Sequence, residues 1–430
     1  MRTVTLILSG IVLASCSRMT GSSPLPAALP NGASLHPLTG TGYKSLYSFK
    51  GGKDGVGPLA GLTAVNGTLY GTTAGGGGKS GDGTVFSITT SGAESVLYSF
   101  KGEPDGSYPR ADLIALSGAL YGTTVAGGES DQHGTVFKVS TSGAEHVLYR
   151  FKGGTDGASP QAGLIVVNGT LYGTTEGDGV KSGGTVFKIT TSGAEHVLYH
   201  FKGGSDGARP FAGLIAVNGT LFGTTLYGGG SGCRHYGVAY GCGTVFKITT
   251  SGTESVLYSF KGGKDGCDPV AGLVNVKGTL YGTTANGGTS PCDGSSYGRS
   301  GFGTVFKITT SGAEHVLYRF KNSSDSGDNP GAALIAVKGT LYGSTAAGGK
   351  NDCSYGGCGT VFAVSTSGKE RVLYSFKGVY NGGTDGTYPN ARLIVVNGTL
   401  YGTTAAGGVY GCEGGVSGVN GCGTVFRISP

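Results

Sequence analysis

Four apolar segments recur in the same order seven times along the chain, and glycine-rich turns separate them. In the copy at residues 164–201 the first segment is LIVV, an unbroken apolar run that predicts a strand covered on both faces. Asn168-Gly169 follows, a dipeptide that favours a type I′ hairpin because it accepts positive φ at both positions. The second strand is predicted at residues 170–175, where Gly173 leaves room for the neighbouring repeat to approach closely.

The third segment of this copy, at residues 184–190, begins with GTVF, and the fourth occupies residues 195–201 after a tight turn at Thr191-Ser192-Gly193. Residues 202–210 then lead to the next copy. GTVF itself begins at Gly83, Gly134, Gly184, Gly243, Gly303, Gly359 and Gly423. A unit of about 50–60 residues made only of strands and turns cannot cover its own apolar faces, so the copies must pack on one another. Seven antiparallel four-stranded units predict an all-β, seven-bladed β-propeller.

The repeats are interrupted at both ends of the chain. A lone fourth strand at residues 45–49 precedes the first complete copy, and the last copy stops after its third strand, at residues 423–429. We expect residues 46–49 to pair beside residues 425–428 and close the ring, because closure removes two unpaired sheet edges. A ring broken between complete blades and closed by packing alone is the alternative.

Composition supports a folded protein and argues against one class of partner. The 89 glycines among 430 residues recur at fixed offsets beside Tyr, Val, Ile and Phe, as expected for turns of a folded all-β chain. Charged residues make up 13% of the chain, and the basic ones are spread through all the repeats despite a net charge of +6. Because no basic run is present, a nucleic-acid groove is not expected.

The N-terminal residues resemble an export signal. Residues 1–15 place one positive charge, at Arg2, before a short apolar core that is too short to span a bilayer. The segment ends in Leu-Ala-Ser-Cys16, which resembles the bacterial lipobox and predicts lipidation of Cys16. A plain signal peptide with an incidental cysteine is the alternative. Ser17 after the cysteine favours the outer membrane, and residues 16–42 are expected to form a flexible tether to a propeller at residues 43–430.

The recurring motif G-L-x-x-V-N-G-T-L-Y-G-T-T, followed by a glycine-rich loop and G-T-V-F-K-I, resembles the GloVer tandem-repeat family of bacterial exported proteins. The likeness covers nearly all of residues 46–430. Members of that family carry different surface anchors, which agrees with an N-terminal lipobox. The layout is also similar to that of kelch propellers, a likeness of fold alone. The family resemblance implies no activity.

Eight further cysteines are expected to form four disulfides, because they are even in number, locally paired and carried by an exported chain. The expected pairs are Cys233 with Cys242, Cys267 with Cys292, Cys353 with Cys358, and Cys412 with Cys422. A zinc site is the alternative, but the cysteines contain no C-x-x-C pair and are scattered over different blades.

A ligand site is expected on one face of the propeller. The loops between second and third strands and the blade-to-blade connections emerge on the same face, and all length variation falls there. Tyrosine and arginine in these loops suit glycan or protein contacts, although the absence of Trp weakens a sugar-binding interpretation. Each residue is alternatively a solvated loop residue. The candidates are Tyr108, Arg110, Arg209, Arg234, His235, Tyr236, Tyr240, Tyr297, Arg299, Tyr355, Tyr388, Arg392 and Tyr410.

An aspartate before glycine recurs in the blade-to-blade connections. It occurs at Asp54, Asp105, Asp156, Asp206, Asp265 and Asp385, and the sixth repeat breaks the pattern. Turn formation is the simpler interpretation, and a ring of carboxylates that binds calcium is the alternative.

The sequence therefore predicts a lipid-anchored, monomeric binding or scaffold module of the cell envelope, with a glycan or protein ligand and no cofactor. No catalytic constellation stands out. The alternatives are an enzyme that hydrolyses or cleaves envelope polysaccharide and a purely structural surface protein. The enzyme would need two facing carboxylates, whereas the acids outside the repeat pattern are scattered over five blades. Those acids are Glu129, Asp131, Glu176, Asp178, Asp293, Asp352 and Glu413.

Overall fold

A computed structural model gives the fold. It describes residues 42–429 except 130–132, 178–182, 231, 236–237, 291, 293–300, 322, 324–325, 352, 354–355, 379–383, 409–411 and 413–420. The described chain forms seven antiparallel sheets of four strands each. The inner strands of neighbouring blades contact each other at several junctions, as expected for strands arranged around the axis of a propeller. The predicted seven-bladed β-propeller is confirmed.

Within a blade the four strands follow one another from the innermost to the outermost. The strands of blades 1 to 4 are Thr63–Val65, Thr68–Thr73, Thr84–Thr89, Glu94–Ser99; Ile114–Leu116, Ala119–Thr124, Thr135–Ser140, Glu145–Arg150; Ile165–Val167, Thr170–Thr175, Thr185–Ile189, Glu195–His200; and Ile215–Val217, Thr220–Thr225, Thr244–Thr249, Glu254–Ser259. Those of blades 5 to 7 are Val274–Val276, Thr279–Thr284, Thr304–Thr309, Glu314–Arg319; Ile335–Val337, Thr340–Thr345, Thr360–Ser365, Glu370–Ser375; and Ile394–Val396, Thr399–Thr404, Thr424–Ser429, Gly42–Ser48.

Short elements decorate the connections between these strands. Two small two-stranded sheets form in these connections. One pairs Arg234–His235 with Val238–Ala239, and the other pairs Gly327–Asp328 with Ala347–Gly348. Single turns of 3-10 helix lie at Gly154–Asp156, Gly204–Asp206 and Gly263–Asp265. All of them belong to the face that carries the second-to-third-strand loops and the blade-to-blade connections, which we call the loop face. The opposite face, with the tight hairpin turns, is the turn face.

The ring closes by strand pairing, as predicted. Gly42–Ser48 runs antiparallel to Thr424–Ser429, with Tyr43 opposite Ile428 and Ser48 opposite Thr424. It is the outermost strand of blade 7, where the other blades have their own fourth strand. The first and last described strands therefore share one sheet, and together they give blade 7 its full set of four strands.

The core consists of seven clusters of buried residues, one at each junction between neighbouring blades. At every junction the phenylalanine that ends the fourth-strand segment meets the GTVF phenylalanine of the next blade edge-on, with ring centroids 5.0–5.2 Å apart. Phe49 and Phe86 make this contact between blades 7 and 1 at 5.1 Å. Edge-to-face aromatic pairs add to the burial of apolar surface, so the closing junction is built like the other six.

The glycine of each second strand has a different neighbour from the one predicted. A Cβ on Gly173 would lie 2.6 Å from Phe187 Cζ and 2.8 Å from Leu164 Cδ2. Gly173 also pairs directly with Phe187 across the sheet. The prediction that the next repeat approaches here was wrong: the glycine accommodates the phenylalanine of its own blade.

The inner strands are also less covered than their apolar sequence predicts. Each comprises three residues, and its middle residue is at least partly exposed, as at Ala64, Ala216 and Asn275. The leucine before the strand is the buried one, since Leu164 has no solvent exposure. Burial on both faces therefore ends where the strand begins to border the propeller axis.

A bulge in the fourth strand fixes a second glycine. The register shifts at the leucine of the Leu-Tyr-x-Phe run, as at Leu148, which lies opposite the Val136/Phe137 step. The carbonyl oxygen of Leu148 lies 2.6 Å from where a Cβ of Gly193 would be, in the Thr-Ser-Gly turn of the next blade. Gly193 has φ of 94°, so both its backbone and this contact favour glycine.

Candidate functional site

Each blade-to-blade connection ends in five residues of nearly constant pattern that lead into the inner strand. We call these seven pentapeptides the mouth; they are residues 57–61, 108–112, 159–163, 209–213, 268–272, 329–333 and 388–392. The second residue is always proline and the fourth always alanine. Positions one, three and five differ in size and charge from blade to blade.

The mouth pattern is therefore x-Pro-x-Ala-x, with variable side chains at positions one, three and five. Position three is Leu59, Arg110, Gln161, Phe211, Val270, Gly331 and Asn390 around the ring. Position five is Gly61, Asp112, Gly163, Gly213, Gly272, Ala333 and Arg392. The mouth thus combines a constant backbone pattern with side chains that change from blade to blade.

The first residue of each mouth pentapeptide has a left-handed backbone. Tyr108, Arg209 and Tyr388 all have φ of 57°, and the other four copies lie between 54° and 66°. Two backbone hydrogen bonds help to hold Tyr108 in this conformation. Its amide donates to the Asp82 carbonyl at 2.9 Å, and its carbonyl accepts from the Val125 amide. Positive φ is unfavourable for a non-glycine residue and often marks a functional position. Six of the seven copies nevertheless carry a side chain there.

A buried ion pair crosses the mouth. Arg392 Nε of blade 7 donates to Asp112 Oδ2 of blade 2 at 3.1 Å, and the two side chains are 6% and 0% exposed. The Gly61 amide of the intervening blade donates to Asp112 Oδ1 at 2.6 Å. Three blades are therefore connected through one carboxylate, and sequence reasoning did not identify Asp112. The sequence does contain a signal for Asp112, because it is a charged residue at a position where four other repeats have glycine.

Arg110 lies next to this pair and has a different environment. Protein atoms crowd its guanidinium, and this desolvation lowers the pKa of Arg110, although solvent still reaches part of the side chain. The guanidinium lies 5.9 Å from the ring centroid of Tyr108, which is 46% exposed. Within the described part of the chain no carboxylate pairs with Arg110, and its buried Nε has no hydrogen-bond partner. It is a desolvated cation to which the described residues supply no counter-ion.

A polar chain continues around the mouth from blade 3. Gln161 Nε2 donates to Glu176 Oε2 at 2.9 Å, and Glu176 also forms an ion pair with Arg209. The Arg209 guanidinium lies 5.4 Å from the ring centroid of Tyr227, and Tyr227 stacks on Tyr240 at 5.1 Å. The carboxylate of Glu176 is thus already committed to two neighbours.

The side of the mouth beyond this chain is apolar. Phe211, Leu226, Tyr227, Val270 and Ala285 form a buried cluster over blades 4 and 5, with Tyr240 packed against it. The mouth is therefore two-sided: arginine, tyrosine and amide groups lie on blades 7, 2 and 3, and an apolar wall lies on blades 4 and 5.

All four expected disulfides form, which stiffens the second-to-third-strand loops. They join Cys233 to Cys242, Cys267 to Cys292, Cys353 to Cys358 and Cys412 to Cys422. The sulfur atoms of Cys233, Cys267 and Cys292 lie within 4.8 Å of one another, so the first two disulfides meet at the junction of blades 4 and 5. Four disulfides indicate a location in an oxidising compartment outside the cytoplasm.

The predicted ligand residues fall into three groups. Tyr108, Arg110, Arg209, Tyr388 and Arg392 belong to the mouth, but Tyr388 and Arg392 are only 2% and 5% exposed. Arg234 and Tyr240 lie further out, on the disulfide-closed loop of blade 4, and the backbone of His235 lies in a short strand there. Tyr236, Tyr297, Arg299, Tyr355 and Tyr410 lie outside the described residues, as do Cys16 and the predicted signal and tether.

The recurring aspartates make turns at the outer ends of the blade junctions. Asp156 accepts hydrogen bonds from the Tyr149 hydroxyl at 2.6 Å and from the Lys152 amide at 2.7 Å. The same two contacts occur at Asp54, Asp105, Asp206, Asp265 and Asp385. In the sixth repeat the Ser326 hydroxyl accepts from the Lys321 amide at 3.2 Å instead. These contacts account for the aspartates as turn-formers.

A glutamate of the next blade approaches each of five of these aspartates. Burial and then the charge of Asp156 raise the pKa of Glu195 to about 7. Glu94, Glu145, Glu254 and Glu314 have their pKa raised to about 7 by the same two causes. Sequence reasoning missed these pairs, because the partners are far apart along the chain and meet only across a blade junction.

A recess outside the mouth is lined by no titratable group. This recess of about 130 Å³ on the turn face, between blades 1 and 2, is lined by Val65, residues 115–120 and Thr141.

In the described part of the chain no helix is long and apolar enough to cross a bilayer.

The sequence profile of the Gloeobacter/Verrucomicrobia repeat matches residues 31–235 and 231–430, which is nearly the whole propeller. The chain belongs to this repeat family. The comparison with curated proteins gives no match.

Solved structures similar to this member of the repeat family are distant in sequence. A europium-containing methanol dehydrogenase is 10% identical over 90% of this chain and 93% of its own, with a TM-score of 0.50. A luciferin-regenerating enzyme is 12% identical over 91% and 96%, with a TM-score of 0.43. A puromycin hydrolase is 14% identical over 85% of this chain and 54% of its own, with a TM-score of 0.48. At these identities the likeness concerns the fold alone.

Proposed function

We propose that this repeat-family member is a lipid-anchored binding module of the bacterial cell envelope, which takes a glycan or protein ligand at the mouth of its loop face. The observation that carries the proposal is the pair formed by the exposed ring of Tyr108 and the guanidinium of Arg110, which no described carboxylate pairs with. Both side chains stand on the repeated backbone of the propeller, so binding of a ligand does not require the main chain to be ordered first.

The geometry of the ring closure supports an anchored orientation. Gly42–Ser48 takes the place and direction of a fourth strand, and fourth strands run from the turn face to the loop face. The chain therefore enters the propeller at Gly42 on the turn face. A lipid on Cys16 would therefore attach the propeller through its turn face, and the flexible tether would leave the mouth accessible to a ligand.

Binding is favoured over hydrolysis because of the state of the acids in the mouth. In the mouth, Asp112 is engaged by Arg392 and the Gly61 amide, and Asp268 accepts from Asn286 Nδ2 at 2.7 Å. Beside it, Glu176 is engaged by Arg209 and Gln161. General acid–base cleavage of a glycosidic bond needs two carboxyl groups that face the substrate. We propose a monomeric module that has no nucleic-acid partner and needs no cofactor.

The test uses the propeller without its first 41 residues, which leaves every described strand intact. We expect it to bind an envelope glycan or protein fraction, and we expect Tyr108→Ala to weaken that binding. Lys338→Ala, in a hairpin turn of the turn face, is the matched control and should bind normally. Unchanged binding by the Tyr108 variant would refute a site at the mouth, and release of shortened sugars during incubation would favour the enzyme.

A further inference from the structure

The mouth holds one cation whose charge nothing in the described chain compensates. Burying an ionised group without a partner is costly, so such a group usually has a counter-ion or serves a function. The neighbouring acids are committed elsewhere: Asp112 to Arg392 and the Gly61 amide, and Glu176 to Arg209 and Gln161. Arg110 therefore offers its guanidinium donors to a molecule from outside the chain.

Tyr108 restricts what that molecule can be. Its ring is the large hydrophobic side chain that the described residues leave most exposed, and it lies beside the guanidinium at 5.9 Å. The left-handed backbone at Tyr108 is held by two backbone hydrogen bonds, so the ring projects from a fixed position. A flat aromatic ring stacks on the face of a sugar, and a planar guanidinium binds a carboxylate or sulfate with paired hydrogen bonds.

We propose that Arg110 and Tyr108 form a subsite for an acidic sugar, in which Arg110 binds the carboxylate or sulfate and Tyr108 stacks on the ring. This inference rests on the proposed function and specifies its ligand. It requires no movement of the neighbouring ion pairs, since Asp112 and Glu176 keep their partners.

The experiment measures binding to the propeller of four probes of equal length by calorimetry. The probes are a galacturonic-acid hexamer, its neutral methyl ester, a sulfated galactose hexamer and hexaglutamate. We expect Arg110→Met to weaken the acidic sugars at least about tenfold, because charge-assisted hydrogen bonds are lost, and to leave the neutral ester unchanged. Tyr108→Ala should weaken all three sugars. Comparing the carboxylated with the sulfated sugar identifies the preferred anion.

Arg150→Met is the matched control, because Arg150 lies in the outer strand of the same blade, is partly exposed and donates to the Pro104 carbonyl at 2.8 Å. Thermal unfolding supplies a second readout. Arg110→Met should unfold at a higher temperature, since it removes a desolvated cation, whereas loss of a structural arginine would lower that temperature.

Three results would overturn the inference. The first is equal affinity of the unmodified protein for the acid and its methyl ester, and the second is equally tight binding of hexaglutamate. The third is lower stability of Arg110→Met together with unchanged affinity. If Tyr108→Ala still weakens binding to an envelope fraction in any of these cases, the proposed function stands without this subsite.

Discussion

Arg392 of blade 7 and Asp112 of blade 2 form a buried ion pair over 3.1 Å that passes above blade 1. The pair connects the blade that closes the ring to the second blade, and the Gly61 amide of blade 1 shares the carboxylate. It is thus a contact between elements 280 residues apart in sequence.

Asp112→Ala should destabilise the propeller by about 3–5 kcal/mol, because it leaves Arg392 buried without a partner. The double variant Asp112→Gly with Arg392→Gly should recover much of this loss, since four other repeats have glycine at the same position. Chemical denaturation of the single and double variants measures both effects. A double variant as unstable as the single one would contradict the ion-pair explanation.

Gly173→Ala should lower the free energy of unfolding by about 1–3 kcal/mol, because the new Cβ would lie 2.6 Å from Phe187 Cζ. The matched background is Phe187→Leu, which removes the ring that the Cβ meets. A double-mutant cycle should show a smaller cost for Gly173→Ala in that background. Equal costs in the two backgrounds would show that the ring is not the obstacle.

Stability should depend on pH through the glutamates at five blade junctions. Their folded-state pKa is raised to about 7, whereas an unfolded glutamate titrates near about 4.3. The folded protein therefore binds extra protons between these values, and stability is lost as pH rises through about 7. Thermal unfolding should occur at a lower temperature at pH 8 than at pH 5.5.

The matched variants for this pH effect lie within the ring itself. Glu195→Gln should raise the unfolding temperature at pH 8 and reduce the pH dependence, because it cannot repel Asp156. Glu370→Gln should change the unfolding temperature at pH 8 less, since Ser326 replaces the aspartate at that junction. An equal gain from both variants would mean that repulsion between the carboxylates is not the cause.

The disulfides should differ in their contribution to stability. Cys267 and Cys292 are 25 residues apart, and Cys353 and Cys358 are 5 apart. The loop-closure model assigns the longer loop about 3.5 kcal/mol and the shorter about 2 kcal/mol. Replacing each pair by serine and measuring unfolding by denaturant tests this order. A reversed order would show that burial of the sulfur atoms outweighs loop entropy.

The sequence was sufficient for the architecture because every blade repeats the same local pattern. Strand order, closure by the first strand and the cysteine pairs all follow from offsets within one repeat, as with the turn at Asn168, where φ is 51°. Contacts across blades were not accessible in this way. The partner of Gly173, the burial of Tyr388, the Arg392–Asp112 pair and the Glu195–Asp156 approach depend on how the blades sit in the ring.

The shared sheet of blade 7 has a consequence for how the protein is made. Gly42–Ser48 is synthesised early but can pair only once Thr424–Ser429 has been made. Until then the strand lacks its partner, and its own unpaired edge stays open to proteases and to other chains. A chain cut short before Thr424–Ser429 therefore cannot hide that edge, so an assembled blade 7 requires both end strands of the propeller to be present.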